Sequence, residues 1–233
     1  MPRTRAPQTP DGPADNLTAP ATELARQTHP ATADAPRPYH HGQLRTAALE
    51  AARQVVRHQG HGAVAMRELA QGLGVAPSAL YRHFAHRTAL LLNLADAVHA
   101  ELLAQLQALV QAEADPQRAL RHAAHQFLAF AQAEPGLLRM VYDDGLMNAP
   151  DAQAALPALQ ATHALLLELT LRAWPQLGPA GARLRLIAYW STLFGYAMVR
   201  SQHLLQPYMH AGLADADMAA AVVAAAMGET AVD

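Results

Sequence analysis

Met66-Arg67-Glu68-Leu69-Ala70-Gln71-Gly72-Leu73-Gly74-Val75-Ala76-Pro77-Ser78-Ala79-Leu80-Tyr81-Arg82-His83-Phe84 is the stretch on which the reading of this chain turns. Met66, Leu69, Ala70 and Leu73 recur at i, i+3, i+4 and i+7, the apolar spacing of one face of a short helix. Gly74 closes that helix, because the residue after a helix end often takes a left-handed conformation that glycine enters without steric cost. Pro77 suits the first turn of a second short helix, where its missing N–H has no partner to lose. This second helix is predicted to run through Leu80 and Tyr81 to about Phe84, with Leu80 and Phe84 in the core. Two short helices around a glycine turn form a helix-turn-helix, whose second member can lie in the major groove of DNA. Side chains at the start of that member must be short or polar to approach a duplex, and Pro77, Ser78 and Ala79 meet the requirement.

The flanking sequence is helical on both sides. Leu44, Ala48, Ala51, Val55 and Val56 form the apolar face of a first helix ended by Gly60 and Gly62. A long fourth helix starts near Thr88 and carries Leu91, Leu94, Ala95, Val98, Leu102, Leu106 and Leu109. Asp115-Pro116 reads as an N-cap followed by proline at the first helical position. Further helices are predicted over 116–133, from Pro135 to about Gly145, from Asp151 or Pro157 to Trp174, over 180–205 with Pro207 as the stop, and over 215–228 ended by Gly228. The predicted fold is all-α with about nine helices. A three-helix DNA-binding domain occupies 39–88, and a helical bundle for effector binding and dimerisation occupies 89–233. Residues 1–38 hold eight prolines, eight alanines and six threonines. They lack the apolar content to offset the entropy of ordering and are predicted to be disordered.

Composition narrows the function classes. The chain has 233 residues, 52% hydrophobic and only 5% aromatic, and much of the apolar content is alanine, which favours close-packed helices. The absence of cysteine excludes disulfides, thiolate metal sites and a cysteine nucleophile. No continuous apolar run reaches about 18 residues and the first 38 contain nothing like a secretory signal, so the expectation is a cytoplasmic protein with no membrane partner. Every one of the 17 basic residues is arginine, and the formal net charge is −2. Residues 37–90 nevertheless hold Arg37, Arg45, Arg53, Arg57, Arg67, Arg82 and Arg87 against only Glu50 and Glu68. A basic segment in an otherwise acidic chain suits either a polyanion partner or a solvated charged face.

Arg67-Glu68-Leu69-Ala70, Leu73-Gly74-Val75, Leu80-Tyr81-Arg82-His83-Phe84 and Ala89-Leu90-Leu91 together resemble the DNA-binding signature of the TetR family of transcriptional regulators, over about residues 44–94. Tyr39-His40-His41-Gly42-Gln43-Leu44-Arg45 resembles the start of one branch of that family. Pro135-Gly136-Leu137-Leu138-Arg139-Met140, with Trp190 and Gly195, resembles that branch's carboxy-terminal domain, named for a Trp-His-Gly pattern; Phe194 stands where the histidine should be. The resemblance implies a repressor that leaves a palindromic operator when a small effector binds. It also implies that Tyr81 and His83 face DNA and that Arg82 helps set operator sequence. Arg87 replaces the family's lysine and is expected to clamp a phosphate through its planar fork. Arg67 is expected to read guanine, touch a phosphate or pair with Glu50. Ala65 and Ala76 stand where the family has Thr and Ser, so two capping hydroxyls are missing.

For the effector, Phe127, Phe130, Met140, Tyr142, His163, Trp174, Tyr189, Trp190, Phe194 and Met198 are either pocket or plain core, and Phe130, Trp190 and Phe194 are chosen as the pocket. Ala219, Ala220, Val222, Val223 and Ala226 offer small side chains for close approach, and homodimerisation through the last two helices is expected. No cofactor and no metal are expected: His40 and His41 project in different directions with no nearby ligand to complete a tetrahedral set, and His122 and His125, three apart on one helix, could both reach a metal but are a pair that chance supplies among 13 histidines. Two rival readings are a non-switching dimeric DNA-binding protein and an all-α enzyme built on His163 and Glu168.

Overall fold

The computed structural model describes residues 41–229. The first helix, α1, spans His41–Gln59 and is followed by a 3₁₀ turn at His61–Ala63. Then come α2 (Met66–Gly72), α3 (Pro77–Tyr81), α4 (Arg87–Ala112), α5 (Pro116–Ala133), α6 (Pro135–Val141), α7 (Asp144–Met147), α8 (Ala152–Ala155) and α9 (Pro157–Ala173). A 3₁₀ turn at Pro175–Leu177 leads to α10 (Gly178–Ser201), another at Pro207–Met209 precedes α11 (Asp215–Met227), and there is no strand among the described residues. The architecture is all-α as expected. α7 and α8 are single turns; α8 lies within the stretch expected from Asp151 or Pro157, and α7 straddles the expected helix end near Gly145. The tail assigned to residues 1–38 lies outside the described residues.

Proline sets many of the starts, standing first in α3, α5, α6 and α9. Asp115 caps α5 as predicted, accepting from the Gln117 and Arg118 amides at 2.9 and 3.4 Å. Two ends differ from expectation. α3 stops at Tyr81, with Arg82 as its cap, three residues before Phe84. α10 stops at Ser201 rather than near Pro207. There the His203 amide donates to the Arg200 carbonyl at 3.0 Å and Leu204 to Val199 at 2.9 Å, with His203 at φ 56°. That is the hydrogen-bond pattern of a glycine-type helix end carried by a histidine, so no glycine or proline marks it in the sequence.

The apolar residues make two cores. The first joins Leu44, Ala48, Ala52 and Val56 of α1 to Leu69, Leu80, Phe84 and the first half of α4, and it also takes in Leu137, Met140 and Val141 of α6. The second joins Leu106 of α4 to faces of α5, α9, α10 and α11. Phe130 and Tyr142 pack against both. α4 therefore runs from one core into the other as a single rigid rod. By length and composition alone it is also the one described helix long and apolar enough to cross a membrane. It holds no uninterrupted apolar run of that length because Asn93, Asp96, His99 and Glu101 break it. In this fold Leu90, Leu91, Leu92, Leu94, Ala95, Val98 and Leu106 of α4 are buried core residues.

Candidate nucleic-acid interface and ligand cavity

The turn between α2 and α3 has the geometry its sequence demands. Gly74 sits at φ 67°. Its amide donates to the Gln71 carbonyl and that of Val75 to Ala70, both at 3.0 Å, which satisfies two carbonyls at the end of α2. Neither Ala65 nor Ala76 offers a side chain to the amides that follow, and no described group replaces the missing caps. Ser78 is exposed on the surface of α3.

Leu80 and Phe84 are buried at 0% and 1% exposure, whereas Tyr81 between them is 47% exposed. Ser78, Tyr81 and Arg82 lie at i, i+3 and i+4 and so share the outer face of α3 and its cap. Pro77 is exposed beside them; Ala79 and His83 are half-buried, His83 with its ring 6.4 Å from that of Phe84. Arg67 on α2 is exposed. Its anticipated pairing with Glu50 is not made: Glu50 accepts from Gln54 at 2.6 Å and lies 4.0 Å from Arg53.

The basic segment is divided by tertiary structure. Arg53 pairs with Glu101 through both terminal nitrogens, and Arg57 pairs with Glu134 at 2.9 and 2.6 Å, which holds its guanidinium above the usual range. Arg45 donates to Asn93 and lies 5.7 Å from the centre of the Phe84 ring. Arg87, expected to face a phosphate, is instead half-buried. Its Nε donates to the Val64 carbonyl at 2.9 Å, and one terminal nitrogen donates to that of His61. It ties the start of α4 to the loop that enters α2. Among the described residues, Arg67 and Arg82 are the exposed arginines of this segment with neither an ion pair nor a side-chain hydrogen bond. His86, which no sequence motif marks, caps α4: its Nδ1 accepts from the Ala89 amide at 3.1 Å. His61, on the 3₁₀ turn, stands 3.2 Å from the Asp143 carboxylate ahead of α7.

Away from this surface, a cavity of about 300 Å³ opens between α4, α5, α9 and α10. Phe127, Tyr142 and Trp190 form an aromatic wall, with ring centres 4.9 Å apart for Phe127–Trp190 and 5.4 Å for Tyr142–Trp190. Of the three residues chosen for a pocket, only Trp190 lines it. Phe194 stacks behind the wall, 5.7 Å from Trp190 and 4.9 Å from Tyr142, and Phe130 is wedged between the two cores. Helical spacing places Phe194 one turn beyond Trp190 but does not say which of the two meets empty space. The interior also holds His99 of α4, which no motif marks. His99 is 2% exposed, and its Nε2 is without a hydrogen-bond partner. Burial pushes its imidazole down to about 4, against a small opposing pull from Asp96. Gln105, Gln126 and His163 stand at the exposed mouth. Glu168, the companion suggested for His163 in the enzyme reading, is exposed and lies 4.0 Å from Arg172. No group of three potential metal ligands occurs among the described residues.

The family described as bacterial regulatory proteins, tetR family, matches residues 48–94, the span from mid-α1 to the first turns of α4. This likeness is confined to the helix-turn-helix region, a minor part of the chain. The nucleoid occlusion factor SlmA of Shewanella woodyi is 31% identical over 84 residues, which are 36% of this chain and 43% of that protein. The chain thus spans less than half the length of this relative. A protein of unknown function from Rhodococcus sp. RHA1 superposes with a TM-score of 0.65 at 29% identity, covering 82% of this chain and 95% of its own. The regulator FadR of Bacillus subtilis, solved with stearoyl-CoA, superposes at 0.61 with 13% identity over 79% of this chain and 98% of its own, a likeness of fold.

Proposed function

We propose that this protein is a transcriptional repressor that binds a palindromic operator as a homodimer and is released from it by a small molecule. The observation that carries the reading is the outer face of α3, where Ser78, Tyr81 and Arg82 are exposed while Leu80 and Phe84 anchor the helix from within. Arg67 and Arg82 supply phosphate or base contacts, Tyr81 and His83 contact the backbone or base edges, and Pro77 and Ala79 allow close approach. Arg87 serves by positioning, since its donors already hold the entrance to α2. The protein acts in the cytoplasm, where the chromosome lies, and performs no catalysis.

Dimerisation is supported by exposed apolar residues on both of the last two helices, Leu184 and Ile187 of α10 at 69% and 60% exposure, and Ala220, Ala221 and Ala225 of α11. A two-fold pairing through these helices presents two copies of α3 to half-sites one helical turn, or a multiple, apart. The cavity between α4 and α10 is the effector site, and α4 is the route to the DNA-binding domain. An effector shifts the balance only through its unequal affinity for the two arrangements.

An operator selected from random DNA by the purified protein supplies the test. In fluorescence anisotropy, Tyr81→Ala and Arg82→Ala are each expected to weaken binding about tenfold or more. Arg82→Ala should also reduce the slope of log affinity against log salt by about one for each phosphate that the guanidinium would otherwise neutralise. Arg87→Ala should lower the melting temperature as well as affinity. Unchanged operator affinity in both Tyr81→Ala and Arg82→Ala would overturn the assignment of this face.

A further inference from the structure

We propose that the cavity takes an uncharged, largely apolar molecule, about the size of one substituted aromatic ring, whose single hydroxyl or carbonyl group bonds to Nε2 of His99. This rests on the reading of the cavity as the effector site and gives that effector a chemical class. Three observations lead to it.

The volume comes first. About 300 Å³ lies at the small end for ligand sites and suits a compact molecule better than a cofactor-sized one. The walls come second. Leu102, Leu106, Phe127, Leu166 and Trp190 present hydrocarbon or ring faces, and no arginine lines the space. An ionised carboxylate or phosphate placed there would lose its hydration without gaining a counter-charge.

The third observation is the unpartnered nitrogen. Buried polar atoms are nearly always hydrogen-bonded, so an unpartnered buried nitrogen on a residue that lines a cavity is the expected mark of a missing partner. Two other polar groups of the wall already have partners. The Tyr189 hydroxyl donates to the Leu120 carbonyl at 2.7 Å, and the Thr162 hydroxyl to Ala158 at 2.8 Å. A water molecule held inside needs two to four polar partners, and the interior supplies few besides His99. The low basicity of His99 keeps the imidazole neutral at physiological pH, so it meets a neutral group, not an anion. His99 lies on α4, one residue past Val98 in the core that the DNA-binding domain shares. A bond at Nε2 therefore acts directly on the rod that carries α3.

Trp190 in the wall reports the test, since its fluorescence responds to a ring placed against it. The full-length protein is titrated with 4-ethylphenol, ethylbenzene and 4-ethylbenzoate at pH 7.5, and DNA release by the same three compounds is followed separately by anisotropy. The expected order is 4-ethylphenol tightest, ethylbenzene about tenfold weaker, and 4-ethylbenzoate without effect. In His99→Leu, with helicity checked by circular dichroism, ethylbenzene still binds and the tenfold preference for the phenol disappears. Tight binding of the benzoate, failure of all three compounds to bind, or an unchanged preference in His99→Leu overturns the proposal. Binding of the phenol with no release of DNA upholds the ligand class and removes the effector reading instead.

Discussion

Arg82 and Arg87 stand five residues apart and carry the same guanidinium, yet one faces solvent and the other is held by the carbonyls of His61 and Val64. Residue type and family position predict a DNA-facing role for both; only the neighbours decide. His99 shows the same dependence on surroundings, and its consequence is measurable. Its folded pKa of about 4 lies below the ordinary histidine value of 6.5, so between these values the unfolded chain binds more protons than the folded one. The stability that neutral burial protects is complete above pH 6.5 and is lost as pH falls toward 4, to a total of roughly 3 kcal/mol. Asp96, Tyr142, His163 and Tyr189 are the titratable groups nearest it or sharing its cavity, and the carboxylates elsewhere are present in every variant alike. Thermal unfolding at half-unit steps between pH 7 and 4 should therefore show a shallower loss in His99→Leu than in the parent. Parallel curves would show that His99 is protonated without cost.

At the scale of elements, glycine and alanine positions carry more information than their size suggests. Gly136 of α6 packs against α1: a Cβ there would come 2.5 Å from the Val56 carbonyl oxygen, which is backbone and has nowhere to move. The sequence shows Pro135-Gly136 as part of a family pattern, but the reason for the glycine appears only where α1 and α6 meet. Gly136→Ala is expected to cost about 1–3 kcal/mol by overpacking. Ala76→Ser runs the other way. It restores a capping hydroxyl to α3, for a gain of about 1 kcal/mol, a rise in melting temperature of roughly 2–4 °C. Differential scanning calorimetry of the two single variants checks both signs. A melting temperature for Gly136→Ala equal to that of the parent would mean that α1 and α6 can separate freely.

For the molecule as a whole, the division into two cores does not follow the boundary at residue 88 suggested by the motif. Leu137, Met140, Val141 and Leu146 of α6 and α7 complete the core under the helix-turn-helix, and the pairs Arg57–Glu134 and His61–Asp143 fasten the same junction. A change in the cavity wall at Tyr142, which touches both cores, thus has a packed path to α3 as well as the length of α4. The opposite side, with Leu184 and Ile187 exposed on α10, is where a second copy is proposed to bind. Ile187→Glu should convert a particle of twice the 24.9 kDa chain mass into a single chain in sedimentation equilibrium, and weaken operator binding at least tenfold. A stable dimer in that variant would place the interface elsewhere.

Local patterns in the sequence determined the all-α class, the glycine turn at 74, the cap at Asp115 and the outward Tyr81 between inward Leu80 and Phe84. Each depends on neighbours within a turn or two, where helical periodicity and backbone sterics suffice. Which arginines face solvent, which aromatic ring borders empty space, why Gly136 tolerates no side chain and that His99 is left without a partner were decided by contacts between residues far apart in the chain. Burial and charge pairing are properties of the packed molecule, and nothing in the order of residues along the chain specifies them locally.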